Sequence, residues 1–215
     1  MDLINNLMEF ILHIDSHLVE LVSKYGIYIY IILFIILFAE TGLVIAPFLP
    51  GDSLLFAAGA LAATGNMNIA LLMLVCFVGA VLGNQVNYYI GRYFGPKIFD
   101  MNLRFIKKEY LIKTQDFYNK HGGKALIIGR FLPFIRTFVP FIAGVGNMNS
   151  SKFTLYNIVG GFTWVFPICI VGYLFGNIPF VKENFSMIIL IILIISLIPL
   201  FAGIIGGIIK SRSNS

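Results

Sequence analysis

Apolar segments of membrane-spanning length constrain this chain more than any other feature. Of its 215 residues, 59% are hydrophobic and only 12% are charged, whereas a soluble domain carries about 25% charged residues. Segments 69–91, 153–175 and 185–209 each reach or exceed the ~20 apolar residues that cross a bilayer as a helix. We therefore expect an all-α polytopic membrane protein with a single membrane domain over residues 1–215.

Two further apolar segments, 27–64 and 125–147, are interrupted by prolines. Proline removes a backbone donor and clashes with the preceding helical turn. Such backbone persists at membrane depth only inside protein or beside a water-filled cavity. Each segment therefore predicts a re-entrant hairpin, which enters the membrane, turns and returns to the same side. The residues that we assign to the hairpin turns are Pro47, Pro50, Gly51, Pro133 and Pro140.

Basic residues predict the orientation of the chain in the cytoplasmic membrane. Residues 92–124 carry three acidic residues and eight basic ones, and loops rich in Lys and Arg stay in the cytoplasm. Two spans after residue 152 would place the C-terminus on the same side. The basic residues flank the membrane without forming a nucleic-acid-binding motif, so attraction to anionic lipid explains them better. The eight are Arg92, Lys97, Arg104, Lys107, Lys108, Lys113, Lys120 and Lys124.

The order of these elements repeats along the chain. Amphipathic stretches at 3–22 and roughly 107–121 precede the two broken segments, and each stretch predicts a helix lying along the membrane interface. A cytoplasmic loop between the hairpins means that they enter the membrane from opposite sides, as in an inverted repeat. The expected division is repeat 1 at about 1–91, a basic linker with its amphipathic helix at 92–124, and repeat 2 at about 107–209.

Four charged residues are the ones most deeply embedded in apolar sequence: Glu40, Asp52, Arg130 and Arg136. Each costs roughly 2.5–3.5 kcal/mol at a helix centre, so they should face one another or a wet cavity. Arginine holds phosphate or carboxylate oxygens in a fork of donors, and a carboxylate in a low-dielectric cavity can carry a proton. We assign phosphate binding to the two arginines and coupling to protons or another cation to the two acids. The structural alternative is that ion pairs only hold the two hairpins together.

Other side chains add little to these assignments. Ser53 and Thr137 directly follow Asp52 and Arg136, where a hydroxyl could donate a hydrogen bond to a headgroup. Cys76 and Cys169 are expected to be buried as small apolar residues, and Trp164 to lie in an interfacial aromatic belt. The sequence contains no triad, nucleotide-binding or zinc-ligand pattern, so we expect neither an enzyme nor a cofactor or metal.

Two long stretches resemble the DedA family, also called SNARE-associated or VTT-domain membrane proteins. They are "FAETGLVIAPFLPGDSLLFAAGALA" and "GRFLPFIRTFVPFIAGVGNMNSSKFTLYNIVGGFTWV". The resemblance implies that the acidic pair and the arginine pair are essential for function, and that the protein translocates lipids. Bacterial members resemble coupled carriers of undecaprenyl phosphate, and eukaryotic relatives are scramblases. "FLPFIR" departs from the family, since many members have Gly where Phe134 stands.

The expected function is therefore translocation of a lipid phosphate, with membrane lipids and protons or another cation as partners and no nucleic acid. A homo-oligomer is compatible with the sequence. The alternatives are a proton-coupled exporter of small cations or drugs, a general phospholipid scramblase, and a scaffold that transports nothing. A scaffold predicts that the purified protein binds no lipid phosphate, and an exporter predicts no binding that depends on the arginines.

Overall fold

The computed structural model describes residues 26–43, 51–65, 67–94, 108–132 and 135–183, which form helices and short connections with no strand among them. The predicted amphipathic segment 3–22 and the predicted span 185–209 lie outside these residues. The helices are α1 (Ile27–Gly42), α2 (Gly51–Ala62), α3 (Ile69–Phe94), α4 (Lys108–His121), α5 (Ala125–Ile128), α6 (Ile135–Val145), α7 (Ser150–Gly176) and α8 (Pro179–Glu183), with 3-10 turns at Gly122–Lys124 and Gly129–Phe131.

Among the described residues, two helices are long and apolar enough to cross a membrane. They are α3, with 26 residues, and α7, with 27. At about 1.5 Å per residue, each is roughly 40 Å long and exceeds a hydrocarbon core of about 30 Å. Both begin at an asparagine cap, because Oδ1 of Asn68 and of Asn149 accepts hydrogen bonds from amides two and three residues further on. The helices predicted for 69–91 and 153–175 are thereby confirmed.

The two proline-containing segments are each divided into separate helices. α1 ends at Gly42 and α2 begins at Gly51, while the 3-10 turn after α5 ends at Phe131 and α6 begins at Ile135. Gly51 is thus the buried first residue of a helix that follows the interruption. Of the residues assigned to the hairpin turns, Pro47, Pro50 and Pro133 lie outside the described residues.

The assignment of Pro140 to a hairpin turn is wrong, because Pro140 lies inside α6 and is fully surrounded by buried residues. A proline inside a helix removes one backbone hydrogen bond and disturbs the carbonyls of the preceding turn. The carbonyl that loses its helical donor to Pro140 is that of Arg136, and the next carbonyl in the same turn, that of Thr137, accepts a hydrogen bond from Asn87 Nδ2 at 2.8 Å. Donors from neighbouring helices help a helix to retain proline in apolar surroundings.

The second amphipathic stretch forms α4, as its spacing predicts. Phe117 and Tyr118 pack from α4 against a core cluster that includes Leu126 and Val139. Asp116 and other polar residues lie on its exposed side. Burial of the apolar stripe against protein, with the polar stripe outward, is the usual arrangement of an amphipathic helix.

The chain forms two compact units. The first comprises residues 1–29, 48–72 and 168–215, and the second comprises residues 30–47 and 73–167. The predicted division into two repeats is a different partition and stays a prediction.

Within the first unit, α2 packs against the C-terminal part of α7. Gly59 lies against the carbonyl of Cys169, and Gly172 lies against the carbonyl of Phe56. The rings of Phe56 and Phe175 add an aromatic contact with centroids 5.4 Å apart. Cys169 is buried here, and Cys76 is buried in the second unit, as the sequence predicts.

Within the second unit, α3 approaches its neighbours through glycines. A Cβ atom on Gly83 would meet Thr41 Oγ1 and, at 2.7 Å, the carbonyl oxygen of Phe38, both on α1. On the side facing α6, Gly144 lies against the carbonyl of Tyr88. Small residues permit this close approach of helix backbones, which is how helices associate when lipid supplies no hydrophobic driving force.

We expect Gly83→Ala to lower the stability of the protein in detergent by roughly 1–3 kcal/mol, as overpacking of a tight contact does. The reason is that the added methyl group would collide with α1 backbone. Unfolding monitored by helical circular dichroism during titration with a denaturing detergent measures the change. Gly146→Ala is the matched control, because the atom nearest to its added methyl group would be the Ile142 carbonyl oxygen, at an ordinary contact distance of 3.4 Å. Equal stability of the two variants would contradict the close approach.

Candidate functional site

An ion pair in the second unit joins the two proline-broken segments. Glu40, near the C-terminal end of α1, is 2% exposed, and Arg136 lies in the first turn of α6. Arg136 Nη2 donates a hydrogen bond to Glu40 Oε1. Removing a charge from water costs several kcal/mol, so a buried carboxylate and a guanidinium whose side chain is only 10% exposed are expected to pair. Glu40 and Arg136 follow that expectation.

Arg130 is held in a different way. It lies in the 3-10 turn Gly129–Phe131 and is 4% exposed. Its Nη2 donates to Asn157 Oδ1 at 2.7 Å and to the Asn157 carbonyl at 3.4 Å. No carboxylate among the described residues hydrogen-bonds to it, and its buried Nε has no hydrogen-bond partner there. Arg130 is therefore a buried cation that is held by neutral groups.

A network of amides surrounds Asn157. Its Nδ2 donates to the Val81 carbonyl at 2.9 Å, and its Oδ1 also accepts from Asn84 Nδ2 at 3.1 Å. Asn157 is completely buried and Asn84 is 3% exposed. Because every polar atom of the Asn157 amide is hydrogen-bonded, its orientation is well determined.

A third asparagine connects the backbone of the two broken segments. Asn87 Nδ2 donates both to the Thr41 carbonyl, at 3.1 Å, and to the Thr137 carbonyl, at 2.8 Å. Thr41 is in the last turn of α1, where helix carbonyls have no partner within the helix. One buried amide on α3 thus satisfies carbonyls from the end of α1 and from the proline-containing helix α6.

Trp164 is buried beside the two arginines, which corrects its expected place in an interfacial belt. It is 2% exposed. The guanidinium carbons of Arg130 and Arg136 are 5.7 and 5.6 Å from its ring centroid. At these distances the indole ring attracts cations. The sequence placed Trp164 at an interface because aromatic residues are enriched there, whereas two cations favour a buried ring here.

These groups enclose a small cavity in the second unit, with a volume of about 10 Å³. That is room for about one water molecule. If both arginines and the glutamate are ionised, the lining carries two positive charges and one negative charge, a net charge of +1. The lining residues are Glu40, Thr41, Asn84, Arg130, Arg136, Thr137 and Trp164.

The structure brings four of the six charged and hydroxyl residues predicted for the site to this cavity: Glu40, Arg130, Arg136 and Thr137. Asp52 and Ser53 belong to the first unit, where they occupy the first turn of α2, with Asp52 exposed. An acidic side chain at that position is also favourable for the helix dipole. The roles of all six residues stay predictions.

Sequence reasoning missed the asparagines. The candidate residues were chosen by their charge, although an amide buried in an apolar span also requires hydrogen-bond partners. The available signal was the presence of Asn84, Asn87 and Asn157 within apolar helices.

Comparison with known proteins identifies the family to which the chain belongs. The VTT domain model matches residues 49–174. Protein DedA of Escherichia coli (strain K12) is 50% identical over 202 residues, which cover 93% of this chain and 92% of that protein. This chain belongs to the DedA family.

Other relatives extend this membership in the DedA family. Inner membrane protein YqjA of Escherichia coli (strain K12) is 34% identical, over 97% of this chain and 95% of its own length. A membrane protein of Mycobacterium leprae (strain TN) is 46% identical, over 77% of this chain and 74% of its own length. The names of these two relatives describe membrane proteins, in agreement with the apolar helices α3 and α7. No solved structure matches the chain significantly.

We expect Asn87→Leu to lower the free energy of unfolding by roughly 2–4 kcal/mol, since it leaves the Thr41 carbonyl at the end of α1 without its donor, at about 1–3 kcal/mol, and removes a hydrogen bond of about 1 kcal/mol from the Thr137 carbonyl. Titration with a denaturing detergent measures the difference from the wild type. Asn177→Leu serves as the control, because the exposed Asn177 amide, just past the end of α7, donates to the Tyr173 carbonyl in the last turn of that helix. Loss of stability no greater than in this control would mean that the Thr41 and Thr137 carbonyls do not depend on Asn87.

Proposed function

We propose that this DedA-family protein translocates a lipid phosphate across the cytoplasmic membrane, with the phosphate held by Arg130 and Arg136. The resemblance to bacterial carriers makes undecaprenyl phosphate the expected substrate, with its movement coupled to protons or another cation. The names of the relatives describe membrane proteins at most, so the substrate is our inference from the site.

One observation carries the proposal: Arg130 is a buried cation whose hydrogen bonds go to a neutral residue. A buried charge is normally paired with an opposite charge, because an isolated one costs several kcal/mol. An anionic ligand would supply the missing charge. Phosphate suits arginine best, since its oxygens match the planar fork of guanidinium donors.

Arg136 and Thr137 complete the proposed phosphate site. Arg136 is near Arg130 across Trp164, so both guanidiniums could grip one phosphate group. Arg136 and Thr137 lie in the first turn of α6, where the positive end of the helix dipole favours an anion. The Thr137 hydroxyl borders the same cavity and could donate a further hydrogen bond.

In this mechanism the Glu40 carboxylate competes with the phosphate for Arg136. With Glu40 ionised, its carboxylate occupies Arg136 and the cavity is too small for a phosphate group. A proton on Glu40 removes the negative charge that holds Arg136, so the arginine becomes available to the lipid phosphate. Loss of that proton on the other side of the membrane restores the ion pair and releases the lipid. Proton movement and phosphate release are coupled because both act on one guanidinium.

The expected architecture supplies alternating access. In our proposal the broken segments 27–64 and 125–147 are re-entrant hairpins of an inverted repeat, which enter the membrane from opposite sides. Residues 92–124 and the C-terminus lie in the cytoplasm. Asp52 provides a second titrating group and Ser53 a second hydroxyl, both from the first hairpin.

A small-cation exporter is less compatible with this cavity. The formal net charge of +1 on the cavity lining repels a cation, and the Glu40 carboxylate is already paired with Arg136. A scaffold requires no buried cation at all. A general scramblase shares the phosphate chemistry but not the coupling, so it is distinguished by the response of transport to a pH gradient.

Arg136→Lys should keep the charge but weaken binding of undecaprenyl phosphate by roughly 10- to 100-fold, equivalent to one lost charge-assisted hydrogen bond. Trp164 is the only tryptophan of the chain and borders the cavity, so its fluorescence reports binding directly. The measurement is a titration of purified protein in phosphatidylcholine nanodiscs.

Arg92→Lys is the matched control for this titration, because Arg92 is exposed at the end of α3. It should bind with wild-type affinity. Wild-type affinity in Arg136→Lys with the fold intact would exclude Arg136 from the phosphate site, and absence of binding to the wild-type protein would exclude the proposed function.

Glu40→Gln should bind undecaprenyl phosphate at least as tightly as the wild type but lose transport driven by a pH gradient, because the amide cannot carry the coupled proton. Asp52→Asn should lose the same coupling while leaving the Arg136–Glu40 pair intact. Transport into proteoliposomes at several imposed gradients measures both variants. Unchanged dependence on the gradient in either variant would assign that acid a structural role.

A further inference from the structure

The side chain that anchors Arg130 is an amide rather than a carboxylate. Asn157 Oδ1 accepts the shortest hydrogen bond of Arg130, at 2.7 Å, and the Asn157 carbonyl accepts a second one. The other atoms of the amide are also engaged, because Nδ2 donates to Val81 and Oδ1 accepts from Asn84. Asn157 is therefore held in place from α3 while it holds Arg130 from α7.

An aspartate would have the same shape and would offer Arg130 the same acceptor. It would also place a negative charge at hydrogen-bond distance from the guanidinium, where opposite charges attract strongly in a low dielectric. Arg130 would then be charge-compensated within the protein, in the manner of Arg136 with Glu40. The neutral amide fixes the position of the guanidinium and leaves its positive charge for a ligand.

We propose that Asn157 is a positioning residue that keeps Arg130 receptive to an anion because it orients the guanidinium without neutralising it. This inference rests on the proposed function, since it concerns the same phosphate site. It adds a specific requirement: the position must accept hydrogen bonds from Arg130 and must be uncharged. Arg136 and Arg130 then differ in kind, because a carboxylate, that of Glu40, hydrogen-bonds to Arg136, whereas no carboxylate among the described residues hydrogen-bonds to Arg130.

Two substitutions of Asn157 test whether the residue must orient Arg130 without neutralising it or is needed only for its shape. Asn157→Ala removes the acceptor and leaves the charge of Arg130 uncompensated, so phosphate affinity should fall a few-fold. Asn157→Asp keeps the acceptor and adds an internal counter-ion, so affinity should fall on the order of tenfold or more below that of the Ala variant. Thermal stability should show the opposite order, with Asn157→Asp melting no lower than Asn157→Ala.

Trp164 fluorescence again serves as the readout, and two probes distinguish the source of the phosphate. Dodecyl phosphate carries the phosphate on an alkyl chain, and inorganic phosphate carries none. Both should show the same ranking of variants, with dodecyl phosphate binding more tightly if the ligand is a lipid. Asn149→Asp is the control, because it adds the same charge to the same helix at its exposed cap, where a carboxylate also accepts the capping hydrogen bonds. It should bind both probes like the wild type.

A residue needed only for its shape would give the reverse ranking, with Asn157→Asp binding phosphate as tightly as the Ala variant or more tightly. That result, with a wild type that binds, overturns this inference and leaves the proposed function standing. Absence of binding to the wild type overturns both. If Asn157→Asp fails to insert, Asn84→Asp compared with Asn84→Ala decides, because Asn84 also borders the cavity and its carboxylate should weaken phosphate binding more than its removal does.

Discussion

Burial of two guanidinium cations in apolar surroundings is the constraint on which the rest of the site depends. Removing a charge from water costs several kcal/mol unless other groups replace its solvation. Arg136 recovers that cost through the Glu40 carboxylate, and Arg130 recovers part of it through Asn157. Trp164 offers the face of its indole ring to both cations. The positions of α1, α6 and α7 around the cavity follow from the need to bring these partners from distant parts of the chain.

The broken backbone imposes a second constraint of the same kind. Helices that end or carry proline inside a membrane leave carbonyl groups without partners, and lipid cannot supply any. Asn87 supplies donors to Thr41 and Thr137 from a continuous helix, so α3 serves as the support for both interrupted segments. Glycines on α3 allow the backbones to approach closely enough for one short side chain to reach both carbonyls. Helix packing and polar satisfaction are therefore achieved by the same helix.

The unequal treatment of the two arginines gives the site its chemical character. Arg136 is paired with the carboxylate of Glu40, which can gain a proton. Arg130 is oriented by the amide of Asn157, which cannot. In the proposed function, a site of this composition binds an anion and releases it when Glu40 loses its proton, which suits a carrier better than a permanent binding protein. Membership in the DedA family agrees with a membrane location. The choice of phosphate comes from the chemistry of the arginine fork rather than from the family name.

The sequence by itself determined the helical class, the two long spans, the interruptions near the prolines and the candidate charges. These properties depend on local free energies. They are the transfer of apolar residues into a bilayer, the loss of a hydrogen-bond donor at proline, and the free-energy cost of an isolated charge in the membrane. Only the tertiary structure decided that Glu40 pairs with Arg136, that the amide of Asn157 holds Arg130, and that Trp164 is buried beside both arginines. It also placed Pro140 inside a helix, and a hydrogen bond from Asn87 on α3 reaches the turn before that proline. Each of these outcomes depends on which partner arrives from elsewhere in the chain, and local sequence patterns carry no information about that partner.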